Sequence, residues 1–197
     1  MASLSLRALL VAAVVAPAPV AAQRTPEQMQ ASWEARQGDF DYLLGDWEFI
    51  AVNRTFGTFR GYWSAVRLAE GAEILDEYRV VDDSGATVYA STTVRAYNAA
   101  LDRWELISAE RGGGLQNVGT ARRAGDEMHI EQRFGVMGPD SSLWRIRYYD
   151  IRPDRFSWTA DRSTDGGATW TTAYMEIDAR RIGPPRFLGP LAVPKSP

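Results

Sequence analysis

A glycine and a tryptophan one residue apart, Gly45-Asp46-Trp47, stand at the head of a long series of alternating apolar and polar residues. This placement constrains the fold more than any other feature of the chain. A glycine lets the backbone enter a first strand through a turn that a Cβ would obstruct. A tryptophan two residues later is large enough to plug one end of a small antiparallel barrel. Barrels of about that size enclose a single small molecule.

From Trp47 onward the period is two. Candidate strands are 47–54, 60–68, 73–82, 87–98, 103–110, 116–123, 127–134, 144–151, 155–162 and 169–180. Turn chemistry separates them, as at Asp83-Ser84-Gly85, Arg111-Gly112-Gly113-Gly114, Ala124-Gly125-Asp126 and Arg152-Pro153-Asp154. The Arg111–Gly114 run carries no phosphate-binding fingerprint and reads as a hairpin or mouth loop. About ten short strands with no long helix between them imply an all-β, antiparallel, up-and-down barrel. Closure removes the edge strands; an open sandwich is the competing architecture. Ahead of the strands, Thr25-Pro26-Glu27-Gln28 is a helix start with a cap, a first-turn proline and a capping-box glutamine. A short helix over 25–37 follows, with Met29, Trp33 and Arg36 on one face. Trp33 is expected over one mouth of the barrel or against its outer wall.

Both ends of the chain differ from this body. Residues 1–22 show a positive charge at Arg7, a short apolar run and a small-residue end, the order of a secretory signal peptide. The run is too short to span a bilayer. The expectation is therefore a periplasmic or secreted protein with no membrane span. Residues 182–197 carry five prolines and are expected to form an extended tail outside the ladder. The barrel domain is assigned to 38–181. The chain has no cysteine, which excludes disulfides, zinc–thiolate sites and thiol chemistry. A net charge of −3 argues against a nucleic-acid partner. Lys195 is the sole lysine, so Schiff-base chemistry in the folded body is excluded.

Ser163 to Trp170 resembles the Asp box of sialidase propellers, in which the acid orders a hairpin and the tryptophan packs beneath it. It occurs once here, whereas a propeller repeats it in every blade. Three segments together, Phe40 to Glu48, Thr93 to Asn98 followed by Arg103-Trp104, and Ser163 to Trp170 followed by Arg180, resemble the DUF1579 group. The resemblance covers about residues 38–181 and implies a lipocalin-like (calycin) β-barrel with a cavity. It also implies that Trp47 packs against an arginine of the last strand, Arg180 or Arg181. It carries no reaction.

The single histidine, His129, shares one strand face with Glu131 and Arg133; Met128, Ile130 and Phe134 share the other. A His129–Glu131 pair could act as general acid and base, or it could be an outward polar face. One histidine cannot form a two-histidine metal site. A single axial haem ligand, as in nitrobindin-like calycins, stays open, but no cofactor or metal is assigned. Arg145 and Arg147 would clamp a carboxylate if they faced inward. The leading expectation is a barrel that binds a small apolar or aromatic molecule through Trp63, Tyr78, Tyr148, Trp158 and Arg95. Two alternatives remain. One is a cofactor-independent lyase, isomerase or hydratase using His129. The other is a filled barrel with an interaction role. The inward face of strand 127–134 and the presence of a void discriminate among them.

Overall fold

The computed structural model describes residues 23–68 and 73–187. The signal-peptide expectation for residues 1–22 and the tail from 188 lie outside the described residues. A helix α1 (Pro26–Arg36) and a 3-10 turn (Asp41–Leu43) precede the strands β1 (Gly45–Asn53), β2 (Gly57–Arg67), β3 (Glu73–Val81), β4 (Thr87–Asn98), β5 (Arg103–Glu110), β6 (Gly114–Ala124), β7 (Glu127–Phe134), β8 (Ser142–Tyr149), β9 (Arg155–Ser163), β10 (Thr171–Gly183) and β11 (Arg186–Phe187). Strands β1 to β10 pair with their sequence neighbours, all antiparallel, and β1 also pairs with β10. The sheet is therefore a closed ten-strand up-and-down barrel, and the sandwich alternative is set aside.

Helix α1 begins as its sequence dictates. Gln28 N donates to Thr25 Oγ1 at 3.3 Å, and Thr25 N donates to Gln28 Oε1 at 2.9 Å. Its Trp33 packs on Trp104 and Tyr97, with ring centroids 6.4 and 5.9 Å away. The helix thus lies across one end of the barrel. Ser32 Oγ and Tyr97 Oη both donate to Asp102 Oδ1, at 2.9 and 2.6 Å, and Arg24 pairs with the same carboxylate at 3.2 Å.

The half of the barrel beneath this helix is filled. Phe40, Leu43, Trp47, Trp104 and Phe156 are buried there. The Trp47 indole N–H donates to the Leu43 carbonyl at 2.8 Å, and its ring meets Phe156 edge-on at 4.8 Å. Arg181 covers the outer side of the indole, as the resemblance implies; Arg180 is exposed. Gly45 has φ 107°, and a Cβ there would meet Arg181 Nη1 at 2.5 Å, so only glycine lets that arginine reach the plug. Gly61 serves close approach: a Cβ would lie 2.4 Å from Phe49 Cζ.

One expectation is corrected at the tail. β10 continues to Gly183, and Arg186–Phe187 pair in parallel with Val66 and Arg67 of β2. Pro184 and Pro185 lack N–H groups, but they sit between the paired segments, so the ladder resumes after them.

Candidate functional site: the open half of the barrel

Opposite helix α1 the barrel is open. The turns β1–β2, β3–β4, β5–β6, β7–β8 and β9–β10 surround a cavity of about 860 Å³. Its size is ordinary for a small-molecule site. Phe56 and Met137 project from two of these turns and are 77% and 78% exposed. The Ser163–Trp170 turn is ordered by its acid: Asp165 accepts from the Thr169 amide at 2.9 Å and the Thr169 hydroxyl at 2.6 Å. These bonds hold the Asp165 carboxyl well below its usual range.

The cavity walls follow from strand period. On β9, Phe156, Trp158, Ala160 and Arg162 share the inward face; on β3, Ile74, Asp76 and Tyr78 do. Trp63, Tyr78, Tyr148, Trp158 and Arg95 all line the cavity. Trp63 stands edge-on to Tyr78 at 5.5 Å and lies 5.8 Å from Tyr148, and Trp158 sits across the ladder from Tyr148.

The deep end holds a charged pair. Arg95 Nε donates to Asp76 Oδ2 at 2.7 Å, and both side chains are nearly free of solvent contact. Trp63 Nε1 donates to Asp76 Oδ1 at 2.8 Å, so both carboxylate oxygens are occupied. The Arg95 guanidinium lies 4.8 Å from the Phe40 ring centre. Burial works against its charge, but the Asp76 carboxylate together with the Tyr148 and Tyr42 hydroxyls outweighs that and raises the Arg95 pKa. Burial also pushes the Tyr78 and Tyr148 hydroxyls above their ordinary range, which keeps both neutral. Nearer the mouth, Thr93 and Ser108 share a hydrogen bond at 2.8 Å, and Gln132 Nε2 donates to Asn117 Oδ1 at 3.2 Å.

Sequence reasoning missed Asp76, Trp144, Tyr174 and Arg162, all of which line the cavity. The signal was present for two of them. Asp76 interrupts the apolar parity of Ile74 and Tyr78, and Arg162 extends that of Phe156 and Trp158. A charge on an inward parity needs a partner or a ligand.

The histidine expectation is corrected. On β7, Met128 and Ile130 are buried, whereas His129 and Glu131 are exposed and point out of the barrel. His129 Nε2 lies 2.7 Å from Glu127 Oε2 rather than against Glu131, and hydrogen bonding to His129 lowers the Glu127 pKa. The barrel wall therefore separates His129 and Glu131 from the cavity. They border a shallow outer groove of about 520 Å³ with Arg145, Arg147 and Asp161. Arg145 and Arg147 are no inward clamp: Arg145 lies 4.0 Å over the Trp170 ring and Arg147 pairs with Glu127 at 3.5 Å. Among the described residues no cluster of histidine and carboxylate groups suits a metal ion, and no helix is long and apolar enough to cross a membrane.

Comparison with solved structures finds the S-type phycobiliprotein lyase CPES from Guillardia theta, with a TM-score of 0.51 and 13% identity. The match covers 74% of this chain and 91% of that one. At this identity the likeness concerns the fold, which is lipocalin-like. The chain matches no protein-family model and no curated protein.

Proposed function

We propose that this protein is an exported lipocalin-like barrel that binds a small apolar or aromatic molecule in its open half, and that it belongs with the DUF1579 group. The observation that carries the binding reading is the cavity of about 860 Å³ walled by Trp63, Tyr78, Tyr148 and Trp158. A filled barrel with only an interaction role would not keep such a void, because interiors pack to crystal density. The motif order that resembles DUF1579 supports the group, and the charged, apolar and small-residue order of residues 1–22 supports export. The lyase, isomerase or hydratase reading depends on His129, which stands outside the cavity wall.

The test is a thermal and fluorescence titration with phenylnaphthylamine, a neutral aromatic probe. Saturable binding should raise the melting temperature by mass action, and Trp158→Ala should weaken it. A melting curve that ignores saturating probe would remove the reading.

A further inference from the structure

Arg162 differs from the other cavity arginine. Arg95 is neutralised by Asp76 at 2.7 Å. Among the described residues, Arg162 has no carboxylate within ion-pair distance, although it lines the same cavity. Its Nη1 donates to Tyr174 Oη at 3.1 Å, and its guanidinium lies 4.9 Å from that ring. Tyr174 Oη is in turn 2.9 Å from Thr55 Oγ1. The Arg162 Nε is buried without a hydrogen-bond partner. A half-buried guanidinium held by one tyrosine hydroxyl, with no carboxylate to pair with it, favours an oxyanion.

Position adds the rest. Arg162 is at the mouth end of β9 and Trp158 is four residues deeper on the same face. At a strand rise of about 3.3 Å, this separates them by about 13 Å. Two acidic side chains also line the upper cavity. Glu110, four strands around the barrel, accepts from Gln116 Nε2 at 3.2 Å, and Asp140 stands on the rim. They disfavour a second negative charge on the ligand.

We infer that the ligand is an amphipathic monoanion: one oxyanion head, a carboxylate or its equivalent, at Arg162, and an apolar or aromatic body reaching the Trp158–Tyr148–Trp63 wall. This rests on the binding reading and specifies its ligand class.

The experiment compares two probes that share an aromatic body, anilinonaphthalene sulfonate and neutral phenylnaphthylamine. The parent should bind the sulfonate about tenfold more tightly, the low end for hydrogen bonds to a charged group beside solvent. Arg162→Gln should abolish that preference, with a much smaller change in the neutral probe's affinity than in the sulfonate's, whereas Arg162→Lys should keep part of it. Equal affinity of the two probes for the parent overturns the inference, and needs no variant. So does a preference that survives Arg162→Gln, or an equal loss for both probes, which would mark Arg162 as structural. If the parent binds neither probe, the binding reading itself falls.

Discussion

The Arg181 guanidinium lies 4.0 Å from the centre of the Trp47 ring, and its Nη2 donates to the Tyr42 carbonyl at 3.0 Å. The last long strand thereby clamps the plug of the first strand and the turn that precedes it. Burial lowers the Arg181 pKa without removing its charge at neutral pH.

Trp47→Ala should therefore cost about 3–5 kcal/mol, the range for removing a core aromatic. Chemical denaturation measures this directly. A variant that unfolds at the parent's midpoint would mean that Trp47 is not the plug.

Asp76→Leu strands the Arg95 charge and the Trp63 N–H in the interior. A buried pair broken on one side typically costs about 3–5 kcal/mol. The double substitution Asp76→Leu with Arg95→Met should recover much of the loss, since no charge is left unpaired. Additive losses in that double-mutant cycle would show the pair to be uncoupled.

The helix tether is sensitive to acid. Bonds from Tyr97 and Ser32 and the Arg24 charge lower the Asp102 pKa to about 2. Because the folded value lies below the unfolded one, the tether's stabilisation is full at neutral pH. It fades as pH falls from about 4 towards 2. The site is partly solvated, so Asp102→Asn should cost only about 1 kcal/mol at neutral pH and clearly less at pH 2, where about half of the folded-state carboxylate is protonated. An Asp102→Asn melting curve displaced equally at both pH values would rule the tether out as the cause.

His129→Ala should leave probe affinity within about twofold of the parent, as surface substitutions rarely exceed about 0.5 kcal/mol. Loss of binding on this change would place His129 in contact with the cavity, against its outward position.

The fold was legible because each of its rules is local. Strand bounds 87–98, 103–110 and 127–134 coincide with β4, β5 and β7. The Thr25–Gln28 capping box is read from four residues. Parity on β7 was also legible, but its direction was not. Which face of His129 and Met128 turns inward depends on closure of the whole sheet. Gly45 and Trp47 could be read as a plug, whereas the Arg95–Asp76 pair joins residues 19 apart that meet only through register. Pairing of Arg186 and Phe187 with β2 was hidden by the prolines beside them.

The most direct measurement is the affinity of phenylnaphthylamine for the parent and for Ser91→Trp. Ser91 lines the cavity, across the ladder from Tyr78, and an indole there would occupy the volume the probe needs. The cavity account predicts one-to-one binding to the parent and loss of binding in Ser91→Trp, with cooperative unfolding retained. A Ser91→Trp protein that binds the probe as the parent does would place the ligand outside the barrel and contradict it.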